Sequence, residues 1–220
     1  MDLSQFTPSS ALITVVLLAL APFVGVMVTS FTKIVVVLSL LRNALGLQQV
    51  PPNVVLNGMA LVLSIYVMYP VGLQMAERVG QSQSQSQAAG RGTEALLAAA
   101  DAAKEPLREF LIQHSNPDER RFFLETLRRN LSPAQQQALS ERDLVVVVPA
   151  FVVNELSVAF QIGFLIFLPF LVIDLVVSNI LMALGMMMLS PTTVSLPFKL
   201  LLFVLVDGWV KLSHGLVLSY

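Results

Sequence analysis

Residues 149 to 209 read PAFVVNELSVAFQIGFLIFLPFLVIDLVVSNILMALGMMMLSPTTVSLPFKLLLFVLVDGW, an apolar run whose only charges are Glu155, Asp174, Lys199 and Asp207. A water-soluble domain has no interior that takes such a segment. An ionised group held in an apolar surround costs several kcal/mol unless it is paired. Four of them in one stretch imply partners on other helices or other subunits. Prolines at 169, 191 and 197 cut the run, and three methionines, Met186, Met187 and Met188, stand just ahead of Ser190-Pro191.

The rest of the chain agrees. Hydrophobic residues make up 55% and charged residues 12%, against roughly 25% charged in soluble proteins, and mean hydropathy is +0.76. The chain reads as membrane-embedded or membrane-assembled. A net charge of -1 supplies no basic footprint for nucleic acid. Cysteine is absent and the two histidines, His114 and His214, are far apart, so no metal cluster and no cofactor are expected. The start, MDLSQFTPSS, has an acid and no base before the apolar residues, which argues against a cleaved signal peptide.

Residues 11 to 41 form a first apolar run with Lys33 inside it and Pro22 as the expected kink. As one helix it would reach about 46 Å, longer than a hydrocarbon core of about 30 Å. It stops at Arg42-Asn43-Ala44-Leu45-Gly46, where glycine after a basic residue is a helix-ending signal, and Pro51-Pro52-Asn53 opens a second helix from about Val54 to Met75. Residues 1–79 therefore read as a helical hairpin. Lys33 and Arg42 beside the 43 to 53 link favour the cytoplasm for its tip.

Residues 80–92, GQSQSQSQAAGRG, read as a flexible low-complexity linker with nothing to bury. Residues 93–143 carry most of the acidic and basic residues and read as a water-facing, periplasmic insert of three amphipathic helices. The first exposes a Leu107, Phe110 and Leu111 face. The second is capped at Asn116-Pro117 and presents Phe123, Leu127 and Leu131, and the third is opened by the Ser132 to Gln135 capping box. Residues 144–220 are the C-terminal helices. The run from Leu144 to Leu189 is too long for one span and is expected to break at Pro169, with a last helix from about Leu196. Hydropathy alone counts four crossings. The fold class is all-α.

Three readings are open for the embedded charges: snorkelling to water for Arg42 and Lys211, ion pairs that fix register for Arg42, Glu155, Asp174 and Lys199, and a proton relay. Asn154, Ser157 and Gln161 fall at i, i+3 and i+7, either a hydrogen-bonded helix contact or the lining of a wet cavity. Ser30-Phe31-Thr32-Lys33 matches S-x-x-K, but the companion K-T-G and S-D-N elements are missing. No other catalytic motif occurs, so an enzyme is not expected. The methionines are either ordinary core residues or, as flexible apolar side chains on a loop, a constriction.

Three blocks resemble the type III secretion export-gate family FliP/SctR: TSFTKIVVVLSLLRNALGLQQVPPN at 29 to 53, the run from 149 to 191, and LPFKLLLFVLVDGW at 196 to 209. LGLQQ at 45 to 49 and VKLSHGLVLSY at 210 to 220 look more like the injectisome branch (SctR, YscR or HrcR) than the flagellar one. The resemblance implies proline-broken hairpins that assemble, as a homopentamer, into a conical gate with SctS-like and SctT-like subunits, beside SctU-like and SctV-like export proteins. It implies an inner-membrane protein, in contact with lipid yet standing largely at or above the membrane plane, that conducts unfolded secreted proteins passively. Met186, Met187 and Met188 would close the pore, and Arg42, Glu155, Asp174 and Lys199 would form bridges within or between subunits. The competing class is a proton-coupled transporter with four crossings.

Overall fold

The computed structural model describes the backbone of residues 8–87, 92–186 and 188–220, and their side chains at all positions except 8–14, 17, 18, 21, 83–87, 92–100 and 134. Helices are the only regular elements among the described residues, as the sequence leads one to expect. In chain order they are α1 (Pro8–Met27), α2 (Phe31–Ala44), α3 (Asn53–Gln87), α4 (Gly92–Gln113), α5 (Pro117–Arg129), α6 (Pro133–Ala138), α7 (Leu144–Ala183), α8 (Pro191–Leu205) and α9 (Gly208–Leu218).

α2 is the strut of the fold. Lys33, Ile34, Val37, Leu38, Leu41 and Ala44 recur at helical spacing and are all buried. Ile34, Val37 and Leu38 join Leu56 and Ala60 of α3, Ala159 of α7 and Leu216 of α9 in one cluster. Leu41 and Ala44 join Phe170 of α7 and Phe203 of α8 in another. The helix ends as its sequence suggests. Gly46 takes φ 77°, its N–H donates to Asn43 O and that of Leu47 to Arg42 O, which is a Schellman stop.

Pro22, the expected kink, lies inside α1, and the first run divides further on, at residues 28–30, where the Thr32 hydroxyl donates to the Val26 carbonyl at 3.0 Å. One break differs from the sequence-based expectation. α7 runs unbroken for 40 residues through Pro149 and Pro169. The turns on both sides of Pro169 join clusters that α2 also joins: Ile162 and Ile166 pack against the cluster that holds Ile34, Val37 and Leu38, and Phe170 and Ile173 belong with Leu41 and Ala44. Those contacts hold the helix in register across the missing N–H, an interruption worth about 3 kcal/mol in an unsupported helix.

The tract expected to be a linker is helical as far as it is described. α3 continues through residues 80–87, where no glycine or proline follows Gly80 to stop it and glutamine is a good helix former. Residues 88–91 lie outside the described residues. The insert has the three helices expected. Asn116 accepts from the Asp118 N–H at 2.8 Å, and Gln135 Oε1 accepts from the Ser132 N–H at 3.2 Å. Arg120 caps the end of α4, donating to Ile112 O and Ser115 O. The insert is joined to the main body, since Phe110 and Leu111 of α4 pack with Val147 and Phe151 of α7. In α5 the buried residue is Leu124, between the half-buried Phe123 and Leu127.

Among the described residues two segments are long and apolar enough to cross a membrane, Asn53–Ser82 and Leu144–Ala183, and α8 with α9 makes a third if the pair, bent by 61°, is counted as one span. The first of the four runs that hydropathy counts is described only in part. The bend is made at Asp207, φ 53°, and Gly208, whose missing side chain leaves room for the Phe203 ring.

Gly163 of α7 lets α2 approach, because an added Cβ would lie 3.1 Å from Leu40 Cβ and closer still to Leu40 Cδ1. Gly58 of α3 has nothing within 4 Å of that position. Gly163→Ala should therefore lower stability by about 1 to 3 kcal/mol, offset in part by the gain in helix propensity, while Gly58→Ala should be neutral or raise it by up to about 1 kcal/mol. Denaturant melts of the purified chain in detergent check the opposite signs.

Candidate functional site

The turn between α7 and α8 is built on a second Schellman stop. Gly185 takes φ 71°, its N–H donates to Met182 O and that of Met186 to Leu181 O. The turn carries Met186, 44% exposed, and Met188, 101% exposed. Met187 lies outside the described residues. Leu184 and Leu189 are exposed beside them, so the hairpin tip presents apolar side chains at its outer end.

Behind the tip the hairpin is clamped. Lys199 of α8 is buried, and its Nζ donates to Asp174 Oδ2 of α7 at 2.6 Å and to the Ala44 carbonyl at 3.2 Å. Ser195 donates to the other carboxylate oxygen, Asp174 Oδ1, at 2.5 Å. Ala44 O is among the carbonyls that the last turn of α2 leaves without an intrahelical partner, so the lysine meets a carboxylate and a helix C-terminus together. One contact thus joins α2, α7 and α8.

Glu155 sits in a separate cluster. Its Oε1 is 3.6 Å from Lys33 Nζ, with 3% and 2% of the two side chains exposed. The Tyr220 hydroxyl donates to Glu155 Oε2, and Lys33 Nζ stands 3.4 Å from the centre of the Tyr220 ring. Burial, and then the adjacent Glu155 carboxylate, hold the Tyr220 phenol above its usual range, so it stays protonated and donates. His114 Nε2 lies 3.3 Å from Tyr220 O and its ring packs on Phe110 and Tyr220.

Of the residues singled out by sequence, Asp174 and Lys199 meet each other, Glu155 meets Lys33, and Arg42 meets no acid among the described residues. Arg42 Nη1 donates to Asn53 Oδ1 at 2.5 Å and to Pro51 O at 3.3 Å. The polar stripe divides. Asn154 donates to His114 O at 2.8 Å and ties α7 to the end of α4, Ser157 bonds back to Val153 O of its own helix, and Gln161 is exposed. Ser30 of the S-x-x-K match donates to Ser64 Oγ at 3.0 Å. Tyr220 and His114 carry no signal in the sequence that would join them to Glu155. Lys33 carries one, since it is a lone cation in an apolar run.

Residues 13–216 match the FliP family. The chain belongs to that family. This FliP-family chain is 50% identical over 212 residues to the "Hypersensitivity response secretion protein HrcR" of Ralstonia nicotianae, covering 96% of this chain and 97% of that one. It is 50% identical over 209 residues to the "Yop proteins translocation protein R" of Yersinia pestis, covering 95% and 94%. It is 41% identical to the "Harpin secretion protein HrcR" of Erwinia amylovora over 220 residues, the whole of both chains. Such relatives place this FliP-family member on the injectisome side, as a component of type III secretion, and its apolar helices fit a multi-pass protein of the inner membrane.

Breaking a buried pair strands the partner, so Lys33→Met should cost about 3 to 5 kcal/mol, and adding Glu155→Gln should recover part of that loss. A double-mutant cycle on the detergent-purified chain measures the coupling. Additive losses would mean that the two groups do not interact.

Proposed function

We propose that this FliP-family chain is a pore-forming subunit of a type III secretion export gate, a passive conduit for unfolded secreted proteins. Copies of the chain, five in number, assemble with SctS-like and SctT-like subunits into a cone standing largely at or above the inner-membrane plane. SctU-like and SctV-like export proteins lie beside it. Met186, Met187 and Met188 of each copy converge on the axis and close it.

The observation that carries this reading is the hairpin tip, where exposed methionines stand on a turn whose stem is clamped to α2. A thioether side chain has three rotatable bonds and no hydrogen-bond demand, so a ring of them can seal an irregular gap and yield to a passing chain. The bare surface is a second support. Only 11% of the most apolar window of α7 is buried within the chain, so its cover must come from other subunits or lipid. The relatives' names, secretion and translocation proteins, agree in direction. Glu155 and Asp174 each face a lysine of the same chain, an arrangement suited to holding register rather than to relaying protons.

Replacing Met186, Met187 and Met188 together by alanine should make membranes that bear the assembled gate leak small ions several-fold faster, with the assembly unchanged on native gels. Membranes as tight as those with the unaltered chain would refute the gasket. The chain has no cysteine. Met188→Cys should therefore form disulfides only between copies, and oxidation should yield a cross-linked dimer on denaturing gels. A chain that stays monomeric under oxidation while assembled would place these tips apart from one another.

A further inference from the structure

We infer that Asp207 of one copy pairs with Lys211 of the next, an ion pair between subunits that fixes how neighbouring copies meet at the bend between α8 and α9. The inference rests on the assembly proposed above and supplies one of its contacts. Four of the charges embedded in apolar sequence, Lys33, Glu155, Asp174 and Lys199, are paired within the chain, and Arg42 is held by Asn53. Asp207 and Lys211 are left over, and their charges are opposite. Both are exposed, and neither side chain joins an ion pair or a hydrogen bond among the described residues.

The backbone at Asp207 sets its carboxylate aside. An aspartate that precedes a helix ordinarily accepts from the first N–H groups of that helix. Asp207 precedes α9 at φ 53° and ψ 45°, and its side chain makes no such bond. A left-handed conformation costs a residue other than glycine about 1 to 2 kcal/mol. Within the chain neither a cap nor a cation offsets that cost. Lys211 stands one turn on, with its N–H donating to Asp207 O, and the two side chains do not meet.

The ground around both charges is apolar. Leu201, Val204, Leu205 and Val210 are exposed beside them, and Lys211 edges a groove of about 380 Å³ between α7 and α9 that is otherwise lined by apolar residues such as Ile162, Leu165 and Leu212. Lipid tails or a wholly apolar subunit laid over that surface would strand two charges, at several kcal/mol each. A second copy brings the opposite charge for each of them, set in the same apolar surround. Every copy then gives one carboxylate and receives one on its lysine. Such a contact is head-to-tail, so it repeats from copy to copy around a ring, and its charges reject borders in which like meets like.

The test swaps the charges in the full chain. Asp207→Lys sets lysine against lysine at every border and Lys211→Asp sets acid against acid, so each alone should reduce the assembled fraction on native gels roughly tenfold or more. Two differently tagged chains, one with Asp207→Lys and the other with Lys211→Asp, recover opposite charges only across a border. Their co-expression should restore mixed assemblies, read by co-purification of the tags. Single swaps that assemble like the unaltered chain, or a recovery seen with both swaps in one chain but not with the mixture, would overturn the inference, the latter in favour of a pair within one helix. Asp207→Cys in one chain and Lys211→Cys in the other read the same border without reversing a charge, and oxidation should join the two tags by a disulfide. Assembly of the unaltered chain without that cross-link would reject this contact and leave the gate standing, whereas an unaltered chain that does not assemble would reject both.

Discussion

Everything else in this fold hangs on lysines buried at the two ends of α2. At one end Lys33 meets Glu155 of α7, and at the other Lys199 of α8 reaches Asp174 of α7 and the Ala44 carbonyl of α2. Buried pairs of this kind seldom add net stability, since desolvation consumes most of the attraction. Their effect lies in discrimination. Between two smooth apolar helices many registers bury nearly the same area, and sliding α2 by one turn along α7 would strand two or more charges at once. The apolar contacts supply the attraction and the lysines select which version of it is stable.

The same logic explains which parts of the fold are legible in the sequence. Signals that act within one turn of helix are read correctly, such as the glycine stop at Gly46, the cap at Asn116 and the box at Ser132. Signals whose weight depends on neighbours are misread. Pro169 ought to break α7 by its own chemistry, yet the turns on both sides of it join clusters that α2 also joins, and the helix continues. The polar tract after Gly80 has nothing to bury, and a helix already begun needs no burial to continue for a few turns.

At the candidate site the division is similar. The identity of the embedded charges is plain from their apolar surroundings, but pairing them is a question of three dimensions. Arg42 stands on the same helix as Lys33 and differs from it in facing Asn53 and a backbone carbonyl instead of an acid. Tyr220 is invisible as a partner of Glu155 because nothing in its local sequence distinguishes it from a tyrosine at the end of any apolar helix. The methionine turn is legible as a turn from the Ser-Pro after it.

Rigidity and compliance are distributed unevenly along the α7 and α8 hairpin, and that distribution bears on gating. Asp174, Ser195 and Lys199 fix the stem to α2, so the stem cannot open without breaking a buried charge contact. Beyond the clamp, Leu184, Met186, Met188 and Leu189 are exposed. In the proposed gate, a translocating polypeptide would then displace side chains and turns at the tips while the stems hold the ring together. An aperture built this way recloses by the return of flexible thioethers, without rearrangement of the subunits that carry them.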